Sequence, residues 1–174
     1  RYQHDPADDN SISNNVVLSL YIDRYENLWI GYYFGGMDFF SNGKITHYRH
    51  DDNNPNSLAN KTVWKIYRDQ RNNFWVGTLG GGLDRFDPSN NIFYHNQVNL
   101  PNSVHSDFVS AMTEDRDGNL WVGTAYGIDV LDKAKGIFVH YLAATHQLGN
   151  DNVSSLLRDA NGNLWAGTRD GLSV

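Results

Sequence analysis

Residues 118–124 read GNLWVGT. A Gly-Asn turn, three strand-forming residues and a Gly-Thr pair would say little if they occurred once. The chain repeats them as NLWIG at 27–31, NFWVGT at 73–78 and NLWAGT at 163–168. Trp29, Trp75, Trp121 and Trp165 are spaced by 46, 46 and 44 residues. Asp23, Asp69, Asp115 and Asp159 keep those spacings, as do Gly31, Gly77, Gly123 and Gly167. Val17, Val63, Val109 and Val153 share a further slot, and Leu20, Ile66, Met112 and Leu156 another.

Each unit contains four short runs of strand-forming residues. The first is VVLSLYI at 16–22, matched by TVWKIYR, FVSAMTE and NVSSLLR. A turn follows (DRYEN, DQRNN, DRDGN, DANGN), then the Trp-Gly strand. The third run is MDFF, LDRFD or IDVLD, and the fourth is ITHY, IFYH or IFVHY. Sustained helical periodicity is absent. Four strands in about 45 residues is the size of one β-propeller blade. The expected fold is therefore all-β, with three and a half to four blades of four antiparallel strands. RYQHD at 1–5 matches HYRHD at 47–51. The chain is thus one propeller segment: a tail at 1–5, units at 6–50, 51–96 and 97–141, and an incomplete unit at 142–174. A propeller hides its strand edges by closing a ring. Membership in a larger ring is the favoured arrangement. The alternatives are a four-bladed ring in which strand 1–4 pairs with 171–174, or a ring made from two chains.

Composition narrows the function. The 174 residues carry a net charge of -6, which argues against a nucleic-acid partner. There is no Cys, hence no disulfide, thiolate metal site or Cys nucleophile. No run approaches the roughly 18 apolar residues of a membrane helix, so the segment itself is expected to make no membrane contact. Aromatics are 13% of residues, including five Trp and ten Tyr, which suit both β cores and sugar-stacking surfaces.

The stretch DQRNNFWVGTLGGGLDRFDP at 69–88, with its copies, resembles the two-component regulator propeller repeat. The resemblance covers essentially the whole chain. It implies the periplasmic sensor region of a bacterial hybrid two-component histidine kinase of the kind common in gut Bacteroidetes, and a seven-bladed propeller. In the family a small β-sandwich, a membrane helix and the kinase follow the propeller. It also implies an oligosaccharide ligand, regulation of polysaccharide use, and a homodimer formed through the parent protein.

Sites are sought among residues that break the repeat. Asp23, Asp69, Asp115 and Asp159 read as turn residues that accept backbone N–H groups. DRDGN at 115–119 looks like a fragment of a calcium loop, but the other copies lack the alternating oxygens and no distal Glu follows, so no metal is expected. The turns also resemble the structural Asp-box of sialidase propellers. The four repeat Trp read as blade-to-blade packing. His47, His95 and His140 fall on the fourth strand of successive units and read as separate surface positions. His105 and His146 lie in inter-unit loops. No nucleophile or phosphate motif occurs, and most acids, including Asp38, Asp84 and Asp129, belong to repeat slots. No catalytic residue and no cofactor is assigned.

Two loop sets remain. One joins strands two and three: YYFGG (32–36), TLGGG (78–82), TAYG (124–127) and TRDG (168–171). The other precedes each first strand, at 5–15, 51–61, 97–107 and 142–152. Alternating strand direction puts both on one face, opposite the Asp turns. The candidate ligand-binding residues are Tyr32, Tyr33, Phe34, Trp64, His105, Tyr126, Arg169 and Asp170. Rings offer stacking faces for a saccharide, and Arg169 offers a fork for a carboxylate or sulfate. Two other readings compete. One is a propeller enzyme, either glycan-active or like the streptogramin-type lyases, propellers with related repeats that use His and a metal, for which His105 is the residue available here. A protein-interaction propeller without a small ligand is the other.

Overall fold

The computed structural model describes residues 1–145 and 148–174; His146 lies outside them. Fifteen strands form four antiparallel sheets. The first sheet holds β1 (Val17–Ile22), β2 (Leu28–Tyr32), β3 (Met37–Ser41) and β4 (Lys44–Tyr48). The second holds β5 (Val63–Arg68), β6 (Phe74–Thr78), β7 (Leu83–Asp87) and β8 (Ile92–Asn96). The third holds β9 (Val109–Glu114), β10 (Leu120–Thr124), β11 (Gly127–Asp132) and β12 (Ile137–Tyr141). The fourth holds β13 (Val153–Arg158), β14 (Leu164–Thr168) and β15 (Gly171–Ser173). Strands pair in chain order within every sheet, and β1, β5, β9 and β13 lie next to one another at the inner edges. The 174 residues are four blades of part of a propeller. No helix among the described residues is long and apolar enough to cross a membrane.

The repeat slots have physical causes. In each turn the Asp carboxylate bonds the backbone N–H of the Asn four residues on, and its other oxygen accepts that Asn's amide. In three units the same oxygen also accepts the indole N–H: Trp75 to Asp69 at 2.8 Å, Trp121 to Asp115 and Trp165 to Asp159 at 3.0 Å. These bonds hold Asp159 down to about 2, the Trp165 bond leading. In the first unit, among the described residues, the buried Trp29 Nε1 lacks a hydrogen bond of ordinary length.

Blades meet through a close approach of backbone to side chain. A Cβ at Gly31 would lie 2.6 Å from Val63 Cγ1, at Gly77 2.5 Å from Val109 Cγ1, and at Gly123 2.7 Å from Val153 Cγ1. The strand-two Gly of one blade is therefore the socket for the strand-one Val of the next. Trp29 packs across the same boundary against Phe74 and Phe86 of the second blade. Trp75 joins Val104, Val109, Met112 and Phe138 of the third blade in one buried cluster. A buried Lys133 bridges the second and third blades, with Nζ 2.6 Å from Asp69 Oδ2 and 2.8 Å from Glu114 Oε1.

The four-bladed closure does not form. Among the described residues β15 pairs with β14 alone, and Tyr2 packs edge-on against Phe40 of the first blade, 5.5 Å between centroids. A cavity of about 510 Å³ is a crevice lined by Trp121, Ile128, Tyr141, Leu156 and Ala166. It corresponds to the blade boundary that Phe86 and Phe93 fill between blades one and two, so it reflects packing of the repeat.

Candidate functional site on the loop face

The two loop sets meet, as backbone bonds show. Tyr33 N donates to Val16 O, and Gly36 N crosses to Lys61 O of the next inter-unit loop at 2.7 Å. Gly80 N and Gly82 N both reach Asp107 O, and Gly127 N reaches Asp151 O. The first three strand-two-to-three loops are thus pinned to the loop that enters the following blade.

The candidate residues separate on this face. Tyr32 does not belong with the exposed rings. It is fully buried, with its hydroxyl donating to Asp38 Oδ2 at 2.8 Å. Burial and the adjacent Asp38 push its phenol up. The alternation of side chains along a strand explains the misplacement: Tyr32 closes β2 facing inward, while Tyr33 begins the loop. Tyr33 (43% exposed) and Phe34 (64%) form an edge-to-face pair at 4.6 Å. Trp64 (39% exposed) stands on β5 beside Thr62, whose hydroxyl accepts the Phe34 N–H at 3.2 Å. Tyr126, Arg169 and Asp170 are exposed on the loops of later blades. His105 lies elsewhere, against β11 and β12.

Phe34 is held in a left-handed conformation, φ +56°, where the second unit has Gly80 at φ +107°. A bulky residue there costs about 1–2 kcal/mol. Strain of this kind collects at functional positions. Phe34 lines a cavity of about 340 Å³ with His4, Ser13, Gly35, Gly36, Arg49, His50 and Lys61. No carboxylate lines it, in a chain of net charge -6. Among the described residues the side chains of Arg49 and Lys61 are exposed and form no ion pair. His50 Nδ1 donates to Leu58 O at 2.7 Å and its Nε2 faces Asp52 at 2.9 Å. Arg49 and Lys61 had escaped the sequence reading because they flank strands as ordinary solvated cations. Only the fold brings them to Phe34.

The strand-four histidines need a correction: they are not free surface positions. Each is the cross-strand partner of a buried strand-three Asp, in the pairs Asp38–His47, Asp84–His95 and Asp129–His140. The Asp also accepts a backbone N–H from the inter-unit loop, from Ser13, Ala59 or His105 at 2.8–2.9 Å. The trio clamps that loop onto its own blade. His95 has acceptors at both ring nitrogens, Asp84 at 2.6 Å and Pro55 O at 2.9 Å. Only imidazolium satisfies both. The Asp84 bond accordingly raises His95 above its ordinary value, against burial. Burial pushes Asp84 up as well.

Antiparallel blades joined by socketed Gly–Val contacts, with a loop face carrying exposed rings and cations, define a segment of a β-propeller. The chain belongs to the two-component regulator propeller family, whose profile matches residues 11–34, 57–80, 103–126 and 147–170. No curated protein matches the chain by sequence. Among solved structures it is similar to the extracellular domain of a protein described as a hybrid two-component system of B. thetaiotaomicron. The identity is 27% and the TM-score 0.79, covering 90% of this chain and 22% of that one. A second such domain from the same organism is 22% identical, with TM-score 0.76, covering 95% of this chain and 22% of its own. This chain thus spans about a fifth of the length of those domains. A virginiamycin B lyase of Staphylococcus aureus shares the fold at 15% identity and TM-score 0.64, over 87% of this chain and 48% of that one.

Proposed function

We propose that this chain is a ligand-binding part of a periplasmic sensor propeller in a hybrid two-component histidine kinase, and that its ligand is an oligosaccharide bearing an anionic group. The observation that carries the reading is Phe34. Its ring stands in a left-handed position where the second unit uses Gly, at the rim of a cavity whose charged side chains include Arg49 and Lys61. Exposed rings stack on the C–H faces of sugars, and the guanidinium can fork onto a carboxylate or sulfate. Tyr33 widens the aromatic surface and Trp64 extends it toward the inner strand. Tyr126, Arg169 and Asp170 would meet a longer ligand on later blades. The segment acts as a binding module, and a kinase elsewhere in the parent would supply the output. Its family membership and the extracellular origin of the similar domains support this reading.

Calorimetric titration of the full-length sensor with neutral, uronate-containing and sulfated oligosaccharides tests it. An acidic glycan should bind, and Phe34→Gly together with Arg49→Ala should weaken binding at least tenfold while leaving the melting temperature unchanged or higher. Failure of every glycan to bind, or binding untouched by both substitutions, would refute the assignment.

A further inference from the structure

The third unit departs from the others at its clamp, and this departure is independent of the glycan reading. In the first two units the strand-four imidazole is fully engaged: His47 Nε2 meets Asp9 O at 2.8 Å and His95 Nε2 meets Pro55 O at 2.9 Å. Among the described residues, His140 has Asp129 as its one hydrogen-bond partner, 2.5 Å from Nδ1 to Oδ1. Among the same residues its second nitrogen has no hydrogen-bond partner. Beside it stands a second imidazole. His105 occupies the slot that Ser13 and Ala59 fill in the earlier units, with its ring centroid 3.4 Å from that of His140. Aromatic rings ordinarily stack at about 4.5–7 Å. The donor atoms of His105, Asp129 and His140 all lie within 4.8 Å of one another.

A second observation points to the same place. Ser11 and Ser57 each exchange hydrogen bonds with the main chain of Asp5 and Asp51, closing the first two inter-unit loops. The third loop lacks that exchange. Ser103, 8% exposed, leaves its Oγ without a partner among the described residues. It lines a cavity of about 340 Å³ together with both His105 and His140. One unit out of three has therefore released an imidazole nitrogen, added another imidazole, and left a buried hydroxyl unspent around one space.

We infer that His105, His140 and Asp129 form a binding site for a borderline divalent transition ion of the zinc class, with Ser103 Oγ placed to bond a water on that ion. Two imidazoles and one carboxylate, with a remaining position for water, form a donor set suited to such ions. Mg²⁺ and Ca²⁺ instead prefer all-oxygen sites. Metal–nitrogen bonds of about 2.0–2.1 Å require the donors to draw closer than they stand now. His105 can supply the movement, since its side chain is half exposed on a loop. Asp129 is held by the His105 N–H, and the ion would take the place of the proton between Asp129 Oδ1 and His140 Nδ1.

Titration of the untagged full-length protein with Zn²⁺, compared with its His105→Ala variant, tests the site. Ala is the residue of the second unit at this position, so the variant keeps a side chain the clamp already accepts. Wild type should bind one more Zn²⁺ than the variant, or bind it at least about tenfold more tightly. Co²⁺ in its place should give visible absorption that His105→Ala abolishes, and excess Mg²⁺ should not compete. Ser103→Ala should keep the stoichiometry. Identical Zn²⁺ isotherms and Co²⁺ spectra for wild type and His105→Ala would overturn the inference.

Discussion

Gly77 shows how much one missing carbon decides. Its ordinary φ does not call for glycine; the neighbouring blade does, because a Cβ would fall 2.5 Å from Val109 Cγ1 and 3.0 Å from Val109 Cβ. Both are in a close-packed interior that cannot give way cheaply. Gly77→Ala should destabilise the protein by about 1–3 kcal/mol in chemical denaturation. Trimming the opposing side chain should relieve part of that loss. Gly77→Ala with Val109→Ala should therefore cost less than the two single changes added together. Additive costs would show that the two residues do not share this contact. The slot itself is plain in the sequence because every unit keeps it. Its reason is not, because the Val that demands the Gly lies 32 residues away in the next blade.

At the scale of the element, the strand-three Asp and strand-four His act as a clasp for the loop that precedes their blade. The clasp was invisible to a fixed-spacing reading. The pairs are separated by nine residues in the first unit and eleven in the second and third, since the hairpin between them varies in length. Pairing register, which sequence spacing alone does not give, makes them partners. The clasp has a pH signature in the second blade. His95 is raised in the folded state by its Asp84 bond, so its stabilisation is complete below about 6.5 and is lost as pH rises through the higher folded value. Asp84, pushed up by burial, acts with the same sign at lower pH. The melting temperature should thus fall as pH rises above about 6.5, and His95→Gln should flatten that slope. A slope equally steep in the variant would show that His95 does not carry it. The buried Lys133 between Asp69 and Glu114 is another element-level tie that the repeat conceals, since Pro88 precedes the second unit's corresponding hairpin.

Across the whole molecule, the repeat builds the frame, and the candidate site residues are exceptions to it. Four sheets, their strand order and the opposition of loop face to turn face were legible, because strand periodicity and turn residues are local signals. The make-up of the candidate site was legible only in part. Tyr33 and Phe34 broke the pattern visibly, and Tyr32 broke it equally yet is core. Arg49, Lys61 and the His105–His140 pairing depend on segments that meet only after folding.

The central claim is that this loop face, at the first and second blades, receives the ligand. Hydrogen–deuterium exchange of the full-length sensor with and without a bound acidic oligosaccharide tests it most directly. Protection should appear in peptides covering 32–36, 49–50 and 61–64, with the Asp turns at 23–27 and 69–73 unchanged. Protection confined to the turn face, or absent from 32–36, would contradict the account.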